Sequence, residues 1–128
     1  MKYCPCGSKN RYLDCCGAYI LKRAVAPTPE ALMRSRYTAY VEGKIDYIQK
    51  TMKGPALLNF DKKSAKEKVE WLGLEVVSSL IDSTDPSIGY VEFKAKYRKD
   101  NQEYCIHENS KFNKMDGKWY YISGEFIH

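Results

Sequence analysis

Four cysteines lie within the first sixteen residues, and their spacing is the pattern in this sequence that points most directly to chemistry. They form a C-x-C-x8-C-C arrangement made of Cys4, Cys6, Cys15 and Cys16. Two thiolates from a tight turn and two from the start of the next element can complete a tetrahedral sulfur shell, which zinc favours in closed structural sites. The spacing therefore predicts one zinc ion held by these residues, with free thiols or an iron-sulfur cluster as the alternatives.

The residues around the cysteines bear on their oxidation state and charge. The amino terminus carries cysteines and charged residues where a secretory signal needs an apolar core, so we expect a cytoplasmic protein. In a reducing compartment, closely spaced thiols are more often metal ligands than disulfides. Lys9 and Arg11 are expected to offset part of the negative charge of four thiolates around a dication.

The composition sets the size and class of the protein. The chain has 128 residues, of which 44% are hydrophobic and 29% are charged. These values are typical of one globular domain, and they argue against disorder and against a membrane-spanning segment. The net charge of +5 is concentrated in residues 1–26, which hold five basic residues and one acidic residue. Because the rest of the chain is close to neutral, we expect no nucleic-acid partner.

Helical patterns follow the cysteines. Thr28 can cap a helix, proline suits the first helical position, and Gly43 can end the helix, which together predict a helix over Pro29–Glu42. A second, shorter helix is predicted from residue 45 to the glycine and proline at 54–55, which must end it. Residues 61–70 are mostly charged and predict a third, weaker helix.

Beyond residue 71 the apolar residues alternate, and β-branched and aromatic side chains take over. The pattern predicts four strands, at 72–83, 88–98, 103–112 and 118–126. The pairs Asp100-Asn101 and Asp116-Gly117 are typical of tight hairpin turns, so the last three strands should form an antiparallel meander. The predicted class is α+β, with helices first and then a four-stranded antiparallel sheet that they cover.

Two parts of the sequence resemble known families. Residues 4–17 resemble the SEC-C motif, the zinc module of the carboxyl-terminal tail of the SecA translocation ATPase, although Lys9 stands where a second glycine is usual. Separate blocks resemble the YchJ-like family of bacterial proteins: A-P-T-P-E-A-L-M-R-S-R-Y-T-A-Y at 26–40, W-L-G-L at 71–74, V-E-F at 91–93, H-E-N-S-K-F at 107–112 and W-Y-Y at 119–121.

The resemblance implies the domain organisation. It predicts a SEC-C-like zinc module with a linker at 1–26, followed at 27–128 by a domain like nuclear transport factor two. Such a domain is a half-open cone with the cystatin-like arrangement, in which a curved antiparallel sheet wraps around helices.

The two hairpin turns predict the register of the strands. Counting outward from the turn at 100–101 pairs Tyr97 with Tyr104, Phe93 with Glu108 and Val91 with Ser110. Counting from the turn at 116–117 pairs Phe112 with Tyr121, Ser110 with Ser123 and Glu108 with Glu125. The two carboxylates would then face each other on a largely aromatic surface, unless a bulge shifts the register.

Carboxylates in apolar surroundings need a partner, or their pKa values rise. Arg36 is the natural partner of Glu108, because it flanks the apolar stripe of the first helix. The pair could line a ligand cavity, or it could be a buried ion pair that fixes the helix against the sheet. The candidate residues of the cavity are Arg36, Tyr37, Trp71, Tyr97, Glu108, Ser110 and Glu125.

Two functions are compatible with these patterns. The first is a binding or adaptor protein, in which the zinc module contacts a protein partner, as the resemblance to the SecA module implies, and the cone is a scaffold or holds a small ligand. The second is a small-molecule enzyme of the isomerase, dehydratase or hydrolase type that uses Glu108 or Glu125, which only fold-level analogy supports. The sequence contains no recognisable catalytic triad, so it favours the binding protein.

Overall fold

The computed structural model of the chain describes residues 3–127 and is an α+β fold, as predicted. A 3-10 turn at Tyr12–Asp14 precedes the helices α1 (Cys16–Ile20), α2 (Pro29–Glu42), α3 (Ile45–Lys50), α4 (Gly54–Leu58) and α5 (Lys62–Ala65). The strands are β1 (Glu70–Ile81), β2 (Ile88–Lys99), β3 (Gln102–Met115) and β4 (Lys118–Phe126). Within the described residues, no helix is both long and apolar enough to cross a membrane.

The bounds of α2 agree with the prediction because local residues determine them. The Thr28 side chain accepts a hydrogen bond of 3.0 Å from the amide of Ala31, which caps the helix. Gly43 ends the helix with a φ of 72°, a left-handed conformation that favours glycine. The helix is therefore defined at both ends by residues within or next to it.

The shorter helices differ from the prediction. The second helix ends at Lys50, before the glycine and proline that were expected to end it. Gly54 and Pro55 instead begin α4, because proline suits the first turn of a helix. The third helix was predicted over residues 61–70, yet only Lys62–Ala65 is helical, with Asp61 as its cap. From Glu70 onward the chain instead joins the sheet as β1. Residues 66–69 form no helix or strand, and pairing with β2 begins only at the last residue of the expected helix.

The sheet has the order β1-β2-β3-β4, and all neighbouring strands are antiparallel. The turn between β2 and β3 has positive φ values at both Asp100 and Asn101, as tight two-residue hairpin turns require. The register predicted from this turn is confirmed, with Phe93 opposite Glu108.

A bulge in β4 changes the predicted register of the last hairpin. Phe112 lies opposite Tyr121 as predicted, but the next pair is Lys111 with Ser123, so Ile122 is an extra residue. Beyond it the pairs are Ser110 with Gly124, Asn109 with Glu125 and Glu108 with Phe126. The predicted pairs of Ser110 with Ser123 and of Glu108 with Glu125 are therefore wrong. Bulges increase twist and curvature, which a sheet that wraps around a helix needs.

The core lies between α2 and the concave face of the sheet. Every second residue of β2 from 89 to 95 is buried, which is the alternation expected of a strand with one covered face. The buried apolar residues that meet there include Leu32, Met33 and Tyr37 of α2 and Val91, Phe93, Ala95, Phe112 and Trp119 of the sheet.

Candidate functional site

The four amino-terminal cysteines come together as one cluster. Their Sγ atoms all lie within 4.8 Å of one another, and the Cys6–Cys15 and Cys15–Cys16 pairs are 3.6 and 3.9 Å apart. A tetrahedral shell with zinc–sulfur bonds of about 2.3 Å has sulfur atoms roughly 3.8 Å apart. Cys4, Cys6 and Cys16 are buried, and Cys15 is half-buried. This sulfur cluster has the donor set and spacing to hold a metal ion.

Two short elements bring the cysteines together. A bridge between Tyr3 and Arg11 closes the first turn, and the amide of Cys4 donates to the carbonyl of Asn10 at 2.7 Å. Gly7 adopts a φ of 83° inside this turn, which lets Cys6 face Cys4. The second pair lies at the start of α1, which begins at Cys16.

The electrostatics of the sulfur cluster favour a bound cation. Hydrogen bonds from the Cys16 and Cys4 thiols lower the pKa of Cys6. Hydrogen bonds with Cys4 and Cys6, together with burial, raise the pKa of Cys16. Thiolates this close repel one another, whereas a dication between them would allow all four sulfurs to ionise.

A basic residue that was not predicted contacts the sulfur cluster. Lys9 and Arg11 are exposed, and within residues 3–127 neither forms an ion pair. Instead, Arg34 of α2 donates through Nη1 to the carbonyl of Cys6 at 2.8 Å, and Glu30 orients it through a 2.9 Å contact with Nε. The spacing of Glu30 and Arg34 indicates a helical ion pair, but nothing local links it to Cys6.

The cysteine-rich segment packs against the rest of the fold. Cys4 Sγ lies 3.7 Å from Thr38 Oγ1, and the Tyr12 hydroxyl donates to Glu42 at 2.8 Å, so the segment contacts α2 at two points. A side chain at Gly7 would meet the carbonyl oxygen of Leu74 in β1 at 3.3 Å. The division of the chain into a module at 1–26 and a separate domain at 27–128 remains a prediction.

A second feature is a cavity of about 240 Å³ inside the cone, between α2 and the sheet. Five of the seven predicted cavity residues line it: Arg36, Tyr37, Trp71, Glu108 and Ser110. Tyr97 lies further out, where it packs on Trp71 and lines a larger outer cleft of about 680 Å³. The cavity and the cleft share five residues, which include Tyr40 and Tyr121, so the two spaces adjoin.

The Glu108 carboxylate is held inside this cavity by three neighbours. Its Oε2 accepts hydrogen bonds from the Ser110 hydroxyl at 2.6 Å and from the Tyr121 hydroxyl at 2.9 Å. Burial, followed by the Glu108 charge, raises the pKa of Tyr121, which keeps this hydroxyl protonated as a donor. Gly124 provides the space, because a Cβ at this position would clash with the carboxylate.

Glu125 is not part of the cavity. The bulge at Ile122 moves it opposite Asn109, onto the other face of the sheet, where it is exposed. The pair of facing carboxylates that the enzyme hypothesis used therefore does not form, and Glu108 is the one of the two that lines the cavity.

The direct ion pair predicted between Arg36 and Glu108 is also wrong, since the described residues contain no salt bridge between them. Arg36 is 5% exposed and donates through Nη1 to the Ile48 carbonyl at 2.7 Å and to the Thr51 hydroxyl at 2.6 Å. These acceptors lie at the carboxyl end of α3, where helix carbonyls attract cations. The guanidinium also packs over the Tyr121 ring, 4.8 Å from its centre.

Two residues that matter here, Tyr40 and Tyr121, were missing from the predicted cavity. Tyr40 lies four residues after Arg36 on α2 and so shares its helix face, a spacing that could have identified it. Tyr121 pairs with Phe112 in the predicted register, but its contacts with Arg36 and Glu108 depend on how the sheet closes over α2.

Substituting Gly124 tests how tightly the Glu108 carboxylate is held. The backbone φ of Gly124 is not positive, so alanine fits the backbone there without strain. The added methyl group would clash with the Glu108 carboxylate and lie 2.6 Å from the Tyr121 hydroxyl oxygen. We expect a loss of about 1–3 kcal/mol in the free energy of unfolding, measured in urea. Ser123→Ala on the same strand is the control, with a change within about 0.5 kcal/mol. Equal stability of both variants would contradict the close packing.

Comparison with known proteins agrees with this architecture. Residues 28–124, from the cap of α2 to near the end of β4, match a family described as YchJ, middle NTF2-like domain. The chain is also 42% identical over 125 residues to a UPF0225 protein of Vibrio vulnificus strain CMCP6, which covers 96% of this chain and 74% of the relative.

Two solved structures are similar over nearly the whole chain. One is the solution structure of a SEC-C motif containing protein from Rhodopseudomonas palustris, with 38% identity and a TM-score of 0.88, over 99% of this chain and 100% of that one. The other is the crystal structure of a SEC-C motif containing protein from Psychrobacter arcticus, with 29% identity and a TM-score of 0.80, over 100% of this chain and 84% of that one.

Proposed function

Because this chain belongs to the YchJ family, as its sequence blocks predicted, we propose the function that its sulfur cluster and its cavity support best: a zinc-binding protein whose amino-terminal segment binds a protein partner. The cone domain is then the scaffold that carries this segment. The observation that carries the proposal is the cluster of four cysteines, three of them buried, with all Sγ atoms within 4.8 Å.

Zinc is the metal that this donor set suits best. Four thiolates at tetrahedral spacing, with no open position, are typical of structural zinc sites. A soft sulfur shell excludes magnesium and calcium, which prefer oxygen ligands. None of the five cysteines forms a disulfide, and cysteines persist unpaired in a reducing compartment, so the cytoplasm is the location we propose.

The surface of the amino-terminal segment supports a role in protein binding. Four large hydrophobic side chains are exposed there: Tyr3, Leu13, Leu21 and Val25, at 67%, 53%, 47% and 54%. A zinc ion and the contacts with α2 would hold these side chains in a fixed arrangement. Exposed apolar residues on a rigid frame are a common feature of protein interaction surfaces. The SEC-C motif of the two solved relatives is consistent with this proposal.

A second candidate function is the binding of a small molecule in the cone. The observation that favours it is the 240 Å³ cavity, which is lined mostly by apolar and aromatic side chains with a few fixed polar groups. This is the usual composition of small-ligand sites.

A capture experiment tests the partner proposal. Leu13→Ser and Leu21→Ser remove exposed apolar side chains without touching the cysteines, so zinc content and melting temperature should stay unchanged. We expect the double variant to retain about tenfold less partner than the unchanged protein in a quantitative pull-down, because interface anchors carry most of the binding energy. Leu58→Ser, at a leucine that is 87% exposed on α4, is the matched control. Equal capture by both variants would exclude this surface.

A further inference from the structure

The cone cavity contains a buried guanidinium with one edge unused. Both acceptors of Arg36, the Ile48 carbonyl and the Thr51 hydroxyl, are bound by Nη1. Within residues 3–127, no hydrogen bond reaches Nε or Nη2 of this arginine, and no fully enclosed polar side-chain atom lacks a partner. Nε and Nη2 must therefore border free space, and the free space that Arg36 lines is the cavity.

The chemistry of that edge is specific. Nε and Nη2 present two parallel N–H groups, the arrangement that binds the two oxygens of a carboxylate at once. The Arg36 side chain is only 5% exposed. Folding therefore already removes most of the water around the guanidinium, and ligand binding carries little further desolvation cost. The shape and charge of this edge therefore suit a carboxylate.

A second polar group in the cavity has a free acceptor. Glu108 uses Oε2 for both of its hydrogen bonds, with Ser110 and Tyr121, and no described residue donates to Oε1. Its neighbours and the missing Cβ of Gly124 fix the carboxylate in place. A ligand group beside Oε1 must therefore bring a hydrogen-bond donor, such as an ammonium or a hydroxyl.

The two polar groups lie within reach of one small molecule. Tyr121 contacts both of them, with its hydroxyl on Glu108 and its ring under the Arg36 guanidinium. The remaining lining is apolar and aromatic, with Trp71 and Phe93 among the larger side chains. A cavity of 240 Å³ is smaller than the roughly 300–1,000 Å³ typical of drug-sized ligands, and it suits a single ring or a branched chain.

We propose that the cone cavity binds a small amino or hydroxy carboxylic acid with an aromatic or branched apolar side chain. Its carboxylate lies on the Nε/Nη2 edge of Arg36, its amino or hydroxyl group donates to Oε1 of Glu108, and its side chain packs among the aromatic residues. This inference rests on the ligand cavity named above as the second candidate function, and it is independent of the zinc ion and of a protein partner.

Four probes test the proposal by NMR titration of the zinc-loaded full chain. L-phenylalanine and 3-phenyllactate carry both the carboxylate and the donor, 3-phenylpropionate lacks the donor, and phenethylamine lacks the carboxylate. We expect the first two to bind most tightly, and the loss of either group to weaken binding about 10- to 100-fold, as for hydrogen bonds to charged groups. Equal binding of phenethylamine and L-phenylalanine, or no saturable binding of any probe, would overturn the proposal.

Variants locate the binding in the cavity. Arg36→Gln should weaken L-phenylalanine binding by about 10- to 100-fold. Arg98→Gln, which removes an exposed guanidinium paired with Glu70 and Glu103, should leave it unchanged. Because Arg36→Gln can fail to fold, Ala95→Leu provides a second test: it fills the cavity from β2 without removing a charge and should abolish binding. Binding that survives in folded Ala95→Leu protein would contradict the proposal. Zinc content and partner capture are measured separately, and they test the metal site and the adaptor role.

Discussion

Removing zinc is expected to lower the free energy of unfolding by several kcal/mol, because the metal holds a segment that has almost no apolar core of its own. Structural zinc provides on the order of 10 kcal/mol to small metal modules, and binding energy of this kind is folding energy. Urea unfolding with and without a zinc chelator, together with elemental analysis, measures the effect. We expect one zinc ion per chain before chelation and none afterwards.

Two cysteine variants separate the metal effect from a general effect of thiol loss. Cys16 is 1% exposed within the sulfur cluster, so Cys16→Ser should reproduce the destabilisation caused by the chelator. Cys105 is exposed and lies outside the cluster, so Cys105→Ser should keep both zinc and stability. Unchanged unfolding of the metal-free protein would contradict a structural role for the metal.

The consequences should extend beyond the cysteines. Cys4 contacts Thr38, and Arg34 donates to the carbonyl of Cys6, so α2 loses contacts when the sulfur cluster opens. Hydrogen exchange should therefore become faster in α2 as well as in residues 3–26 after chelation. Because thiolates must take up protons to release the metal, acidic pH should favour the same change, and zinc affinity should fall as the pH is lowered.

Phe112→Ala is expected to cost about 3–5 kcal/mol of stability, as for large aromatic side chains removed from a core. Phe112 is fully buried on β3, and its ring packs against Tyr121 with the ring centres 5.7 Å apart. The contact lies next to the bulge of β4, so its loss should also free Tyr121 from its position beside Glu108. Urea unfolding gives the first effect, and weaker binding of L-phenylalanine would report the second.

Phe126→Ala is the matched control for this substitution. Phe126 is 66% exposed at the end of β4, so the same change of residue type should cost about 1 kcal/mol or less. If both variants lose the same stability, the packing of Phe112 against Tyr121 does not make the large contribution expected here.

Residues that act locally account for the parts of the fold that were predicted well. Thr28 and Gly43 define α2 through bonds and dihedral angles within the helix ends. The Asp100-Asn101 turn sets the register of β2 and β3 because a two-residue turn leaves one way to pair the strands. The four cysteines point to a metal site because their types and spacing suit one coordination geometry.

The errors arose where distant elements compete for the same group. The carboxyl end of α3 binds Arg36 through Ile48 and Thr51, so the expected ion pair with Glu108 does not form. Residues near 70 pair with β2 instead of continuing a helix. Propensity and periodicity describe a residue and its neighbours along the chain, and they contain no information about such competition.

By itself, the sequence determined the sulfur cluster, the α+β class, the hairpins and the presence of Glu108 on the concave face, because each depends on residue types at short separations. Only the tertiary structure decided that Ile122 forms a bulge, that Glu125 faces outward, and that Arg36 directs a free edge into the cavity. The physical reason is the closure of the sheet around α2. The extra residue in β4 increases the local bend of the sheet. The packing of α2 against the concave face then determines which polar groups are buried.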